Sequence, residues 1–306
     1  MMQPQTRLAS ARAGVWWRMT RPHTLTASVV PVVLGTALAA AGGDWSVPLF
    51  LAMLAASVLI QTATNMFNEY YDYVKGLDNE HSVGIGGTIV RDGVRPKTVR
   101  NLAFLFYAVS VLLGVYICME SSWWVAAAGA VSMAVGYFYT AGPLPISYTP
   151  FGELFAGFFM GPVIIMIASF IQTGALSMDH FLISIAPGLL IAAINLANNI
   201  RDLDGDKAGG RRTLAILLGR PRAVRLLEAT FAAAFAWTAL LAALNVLTPW
   251  ALLALLAIPK AVQAVRRFRG KTAAAEMMPA MKATAQLNTV YGLLLCAGIA
   301  LSAVFS

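Results

Sequence analysis

The chain has 306 residues, of which 58% are hydrophobic and 12% charged, whereas soluble domains are about a quarter charged. That excludes an ordinary soluble enzyme, and at about 20 apolar residues per membrane-crossing helix little chain is left for a separate soluble domain. The net charge of +8 is better explained by membrane orientation than by a nucleic-acid partner, because of where the charges stand.

Residues 1–21 are polar and basic, and no small-residue cleavage site follows the first apolar run. They are expected to form a short cytoplasmic N-terminal segment ahead of a retained first helix. Apolar runs then span Thr24–Gly42, Trp45–Met66, Val99–Cys118, Ser122–Tyr139, Leu154–Gly174, Phe181–Leu196, Ala223–Leu247, Trp250–Val265 and Ala283–Phe305. This predicts an all-α, polytopic membrane protein with about nine helices in one domain over residues 1–306. Gly157 and Gly161, four apart on the fifth run, are expected to let a neighbouring helix approach closely. Cys118 and Cys296 sit far apart in apolar runs and indicate neither a disulfide framework nor a metal site.

If the runs cross alternately, one set of connections (Ala41–Asp44, Met119–Ser121, Ala175–His180, Asn245–Pro249) holds no Lys or Arg, while the cations gather in the N-terminal segment and the other set. The positive-inside rule then puts the N-terminus and the charged loops in the cytoplasm and the C-terminus on the far side of a bacterial-type inner membrane.

Two acidic stretches lie on that cytoplasmic side. The first leaves the second run: Gln61, Asn65, Asn68 and Asp72 recur at i, i+4, i+7 and i+11, one stripe of a continued helix, with Lys75 and Asp78 following. The second leaves the sixth run, where Asn195, Asn199, Asp202 and Asp206 repeat that spacing beside Arg201 and Lys207. Polar side chains prolonging the inner face of a membrane helix are costly unless they face a cavity and a ligand. Hard oxygen donors of this kind suit Mg²⁺, which takes one or two carboxylates and recruits waters and phosphate oxygens. The cations Lys75, Arg91, Arg201, Lys207, Arg211 and Arg212 would neutralise a diphosphate. For any single Asp-Lys pair a solvated helix end is the simpler reading, but two matching stripes on one membrane face favour a site. The loops that follow, Gly84 to Thr88 and Gly209 to Thr213, carry no nucleotide-binding fingerprint. Between the stripes, the stretch from Gly136 to Glu153 is broken by Pro143, Pro145 and glycines. Its aromatics could border a cavity or anchor at the interface, and Glu153 could cap the next helix.

These motifs resemble those of the UbiA superfamily of intramembrane aromatic prenyltransferases. Asn68 and Asp72, with Asp78 beyond, resemble its Asn-x-x-x-Asp motif, and Asp202 with Asp206 its Asp-x-x-x-Asp motif. The segments Arg21-Pro22-His23-Thr24, Asn198-Asn199-Ile200-Arg201-Asp202 and Arg212-Thr213-Leu214-Ala215, and the stretch Pro143 to Glu153, are similar to the menaquinone branch. Thr88 stands where that branch often has an arginine, and Arg91 comes three positions later.

The resemblance implies a bundle of nine transmembrane helices around a central cavity open to lipid, with a polyprenyl diphosphate donor and an aromatic acceptor. In the menaquinone branch the acceptor is 1,4-dihydroxy-2-naphthoate, prenylated with loss of CO₂ and diphosphate. It implies Mg²⁺ held by Asn68, Asp72, Asp202 and Asp206, with Asn65, Asn68, Lys75, Arg91, Asn199, Arg201, Lys207 and Arg211 binding substrate. Asp78 and Tyr139 are candidates for the acceptor's base. Other acceptors (4-hydroxybenzoate, homogentisate, haem, a chlorophyllide) stay open, and so does a proton-coupled transporter, although transporters usually keep their acids near the bilayer midplane.

Overall fold

The computed structural model describes residues 14–43, 45–78 and 87–305, and every regular element among them is helical. In chain order these are α1 (Thr26–Ala41), α2 (Val47–Val74), α3 (Thr88–Asp92), α4 (Pro96–Glu120), α5 (Trp124–Phe138), α6 (Gly152–Phe158), α7 (Ile164–Thr173), α8 (Met178–Ala208), α9 (Leu214–Leu218), α10 (Arg220–Ala243), α11 (Ile258–Phe268) and α12 (Ala274–Phe305). Each of the apolar runs falls on helix. Among the described residues six helices are long and apolar enough to cross a membrane: α2, α4, the joined α6–α7, α8, α10 and α12. The helices α1 and α5 are apolar but shorter. The eighth run divides into a 3₁₀ stretch, Pro249–Ala257, and α11. The chain is thus a multi-pass membrane protein, with spans less uniform than the hydropathy suggests.

The irregularities have local causes. Pro162 lies inside a π-turn, Phe159–Val163, that joins α6 to α7; proline has no N–H for the helical ladder, and a π-turn absorbs the mismatch. The same stretch crosses α8 at close range. A Cβ added to Gly157 would come within 2.8 Å of the Gly188 carbonyl, and one on Gly161 would strike the Gly188 backbone, so both expected glycine contacts are present. Around α8 a continuous apolar core joins α10, the 3₁₀ stretch, α11 and α12, with Leu227, Phe268, Met277, Leu287 and Tyr291 fully buried. The pair α2 and α4 forms a second cluster around Phe67. Trp16, Trp17, Trp45, Trp123, Trp124 and Trp250 are all exposed, as interfacial anchors are.

The two ends of the bundle differ. At one, the connections are tied by neutral hydrogen bonds: the Ser46 amide donates to Gln172 Oε1 at 2.6 Å, and Ser169 Oγ lies 2.6 Å from His180 Nδ1. The charged side chains collect at the other end, where α2 and α8 run past their apolar spans and both acidic stripes emerge.

Candidate active site at the charged end

Both acidic helices stop in the same way. Four residues after Asp72 and four after Asp206 stand Gly76 and Gly210, with φ of 74° and 79°. That left-handed conformation suits glycine and reverses the chain. The Leu77 amide then donates to the Asp72 carbonyl at 2.8 Å, and the Arg211 amide to the Asp206 carbonyl at 2.9 Å. Each turn folds the following residues back over its own aspartate, bringing Asp78 to the first motif and Arg211 to the second.

Arg211 joins the motifs. Its Nη2 donates to Asp72 Oδ1 at 2.6 Å and its Nη1 to Asp206 Oδ1 at 2.9 Å, and all three side chains are largely buried. Burial alone would lower the guanidinium pKa, but the two carboxylates outweigh it and raise it. Tyr148 lies beneath this cluster, its ring 5.2 Å from the Arg211 guanidinium and 4.9 Å from Lys75 Nζ; such contacts hold cations by the ring quadrupole. Lys75 Nζ also donates to the Thr140 carbonyl at 2.8 Å, and Thr140 Oγ1 donates to Asn68 Oδ1 at 2.9 Å. The loop between α5 and α6 is thereby sewn to the first stripe. Asp78 is mostly buried, and that burial, reinforced by Asp72, pushes its carboxyl up to about 6.

Arg201 and Asp202 form a separate unit. The guanidinium grips the neighbouring carboxylate through Nε, at 2.6 Å from Oδ1, and through Nη2 on Oδ2. Its Nη1 faces the sulfurs of Met281 at 2.6 Å and Met278 at 3.4 Å, on α12. Asn199 Nδ2 donates to the buried Glu153 at 2.9 Å, so Glu153 does more than open α6.

Below the cluster a cavity of about 400 Å³ runs between α1, α2, α4, α5, α6 and α8. Its polar end is formed by Arg21, Gln61, Asn65, Asn68, Tyr139, Asn195 and Asn198, and apolar walls continue to Met53, Ile117, Cys118 and Trp123 near the opposite end of the bundle. Asn65 Nδ2 donates to the Thr20 carbonyl at 3.1 Å and to Thr24 Oγ1 at 2.9 Å, and Asn195 Nδ2 donates to the Tyr139 hydroxyl at 2.7 Å. Polar groups at one end of a long greasy hollow suit a ligand with an ionic head and an apolar tail.

The structure brings Asp72, Asp206 and Arg211 together, with Lys75 beside them, and sets Asn65, Asn68 and Tyr139 along the cavity. Asp78 turns back towards Asp72, while Asn199 points to Glu153 and Asp202 to Arg201. Lys207 is exposed and takes no part in these ion pairs. Arg91 lies on α3, folded over Gly87, where an added Cβ would meet its Nε at 2.9 Å. The preceding segment, residues 79–86 with Gly84, Gly86 and His81, falls outside the described residues, as do residues 1–13 of the N-terminal segment.

Among the described residues no three His, Cys, Asp or Glu side chains stand together ready to hold a metal ion. The donors nevertheless fit a hard cation that brings its own phosphate ligands: Asp72 and Asp206 share one guanidinium, and Asp206 Oδ2 is buried without a hydrogen-bond partner.

Several site residues were not selected from the sequence. Arg21, one of the N-terminal cations that the charge pattern assigns to membrane orientation and part of a segment that resembles the family, also lines the cavity. Glu69, next to Asn68, is buried and accepts from Thr88 Oγ1 at 2.5 Å and the Ile89 amide at 2.9 Å, anchoring α3 to α2. Its place beside the first motif was the available signal; for Tyr148 only the aromatic cluster hinted at a role.

Comparison with known proteins agrees with this geometry. The chain is 54% identical over 288 residues to the 1,4-dihydroxy-2-naphthoate octaprenyltransferase of Bacillus subtilis, covering 94% of this chain and 93% of that one. It is 31% identical to the Mycobacterium tuberculosis protein of the same name, covering 93% and 96%. The fold matches that of a UbiA homolog from Archaeoglobus fulgidus bound to DMAPP and Mg²⁺, with a TM-score of 0.64 at 15% identity over 92% of this chain and 98% of that one. Residues 28–290 match the model of the UbiA prenyltransferase family, and the chain belongs to that family.

Proposed function

We propose that this protein transfers a polyprenyl group from an isoprenyl diphosphate to 1,4-dihydroxy-2-naphthoate, with loss of diphosphate and CO₂, giving demethylmenaquinone. The observation that carries this reading is the 54% identity, over nearly the whole chain, to the Bacillus subtilis octaprenyltransferase for that acceptor. The site is compatible with it: an ionic head group would meet the Asp72–Arg211–Asp206 cluster while an apolar chain lies along the cavity towards Trp123.

In this reading Asp72 and Asp206, with Asn68 and Asp202, hold Mg²⁺. The ion would supply positive charge against the diphosphate as it leaves. Arg211, now shared between two carboxylates, would turn to the diphosphate and carry part of its charge, with Lys75 beside it. The apolar walls keep bulk water from the allylic carbon as it gains positive character, so the electron-rich ring carbon is the nucleophile that reaches it. Asp78, folded back over Asp72, is the candidate for the base that takes the acceptor's proton; Tyr139 borders the cavity and would orient the acceptor hydroxyl. We also assign the charged end to the cytoplasm, from the Lys and Arg content of its loops, and treat the chain as one domain of a bacterial inner membrane.

The test is an acceptor panel. Purified protein in lipid, given polyprenyl diphosphate and Mg²⁺, should prenylate 1,4-dihydroxy-2-naphthoate in preference to 4-hydroxybenzoate or homogentisate. Preference for another acceptor would reassign the substrate within the family, and solute accumulation in sealed vesicles without diphosphate release would refute prenyl transfer altogether.

A further inference from the structure

The last two helices carry cations that the site does not use. α11 and α12 form a hairpin whose closed end lies on the charged side of the bundle, where Met278 and Met281 of α12 meet Arg201. Two contacts set the register of its outer face: Lys260 Nζ reaches Gln286 Oε1 at 3.5 Å, and Arg267 Nη1 donates to the Pro279 carbonyl at 3.2 Å. The two contacts stand seven residues apart on each helix, so the helices run antiparallel past each other for about 10 Å. Lys282 falls between the contacts, on the α12 stripe of Pro279, Lys282 and Gln286 at i, i+3 and i+7. It is about 4–6 Å along the helix axis from each.

Three cations therefore share one face without an acid. Among the described residues no carboxylate lies within ion-pair distance of Lys260, Arg267 or Lys282. The hairpin's neighbouring acids are committed elsewhere, Glu276 to Lys271 at 3.7 Å and Glu228 to Arg269 at 2.8 Å. Like charges this close repel one another, and an anion lying across them relieves the repulsion. Deeper along the hairpin the surface turns apolar: Leu293, two turns beyond Gln286 on the same α12 stripe, and Leu256, ahead of Lys260, are both exposed. Membrane orientation accounts for the number of cations at this end, but not for their gathering on one seam.

We infer that the α11–α12 seam binds an anionic membrane phospholipid, its phosphate held by Lys260, Arg267 and Lys282 and its acyl chains lying along Leu293. The seam passes from apolar to cationic along its length, as such a lipid passes from tail to phosphate. Basic side chains just outside a membrane span attract anionic lipids in general, and two helices that present them together make one place of that attraction. The lipid bridges α11 to α12, adding to the few polar bonds that join their outer faces. The seam is separate from the site of prenyl transfer, since none of the three residues lines the cavity or belongs to the acid cluster. The inference needs only the membrane fold and stands apart from the choice of acceptor.

The experiment measures, by native mass spectrometry of the full-length protein in neutral detergent, the retention of dioleoylphosphatidylglycerol and of dioleoylphosphatidylcholine. Wild type should hold the phosphatidylglycerol about tenfold or more above the phosphatidylcholine. Lys282→Gln should weaken phosphatidylglycerol binding by about fivefold, the effect of one cation at a membrane surface, and Lys260→Gln with Lys282→Gln by about twenty-five-fold, with phosphatidylcholine unchanged. The control removes the same charge from α10, where Arg222 and Arg225 are exposed and stand outside the ion pairs: Arg222→Gln with Arg225→Gln should change phosphatidylglycerol binding by less than about twofold. Inorganic phosphate, which has no acyl chains to lie along the seam, should not displace the lipid. Equal retention of the two lipids by wild type, full retention by the seam variants, equal losses in the seam and control variants, or displacement by phosphate would each overturn the inference.

Discussion

The charged end and the opposite end of this bundle use polar residues in different ways. At the opposite end Ser46 pairs with Gln172 and Ser169 with His180, neutral groups satisfied by each other. At the charged end Arg21, Glu69, Glu153, Asp206 and Arg211 each keep a buried polar atom without a partner. A buried polar group left unmatched costs about 1–3 kcal/mol, and more when it is charged. The first end is built for stability. The second gives up stability to keep donors and acceptors available, as expected where a charged ligand completes the structure.

Substitutions at the two ends should therefore act on different quantities. The largest effect is expected for Asp72→Ala and Asp206→Ala, which should each lower kcat by about a hundredfold to a thousandfold, the scale of losing one strong electrostatic contact to a transition state. Melting temperature should fall as well, because the buried Arg211 then keeps one of its two carboxylate partners, but the loss of turnover should far exceed what the lost stability accounts for. Steady-state kinetics beside thermal unfolding in detergent checks both points, and a variant with wild-type kcat would remove that aspartate from the site. Next in size, Glu69→Ala strips the acceptor from Thr88 and Ile89 and should cost about 1–3 kcal/mol of stability. Activity should fall with it as α3 loses its tie to the acidic helix; unfolding curves indistinguishable from wild type would show that α3 is held some other way.

The pH dependence of stability should also separate by residue. His23 has a folded pKa near 4, below its ordinary value, so the unfolded chain binds the extra proton between about 4 and 6.5 and stability falls as pH falls through that window. Asp78 has a folded pKa near 6, above its ordinary value, so its contribution is present at low pH and is lost as pH rises through about 6. The two oppose each other in wild type. His23→Gln should flatten the acid-side loss and leave the opposing slope of Asp78 visible, each amounting to about 1 kcal/mol once partial exposure is allowed for. Unfolding midpoints at pH 5 and pH 7 for His23→Gln and for Asp78→Asn measure this, and shifts of the same sign in the two variants would contradict the assignment. The smallest change is expected from Ser169→Ala at the opposite end: about 1 kcal/mol of stability lost with its bond to His180 and turnover unchanged.

How far the sequence revealed this arrangement depended on the range of the interaction. Hydropathy located every apolar run because lipid acts on each helix separately. The recurrence of Gln61, Asn65, Asn68 and Asp72 located one polar face because helical period is local, and Gly157 and Gly161 signalled a close crossing because only a missing side chain permits one. Partners across helices left no periodic trace. Nothing local to Arg211 says that it bridges Asp72, 139 residues away, or that Arg201 rests on Met278 and Met281 of α12. The eighth run reads as one helix by composition, but Pro259 falls where the 3₁₀ stretch gives way to α11, and hydropathy does not register such a break. Arg21 stands in a segment that resembles the family, but charge alone does not separate it from the other basic residues before the first span, and its place on the cavity wall appears only in three dimensions.

In the proposed reaction the charged end of the bundle carries out prenyl transfer to an aromatic acid. Its most direct test is product formation in proteoliposomes supplied with polyprenyl diphosphate, Mg²⁺ and 1,4-dihydroxy-2-naphthoate, comparing wild type with Asp206→Asn. Wild type should give demethylmenaquinone, diphosphate and CO₂ in equal amounts, and the variant should lose at least a hundredfold in all three. Wild-type protein that binds both substrates and forms no prenylated naphthalene, or an Asp206→Asn variant that turns over at the wild-type rate, would contradict it.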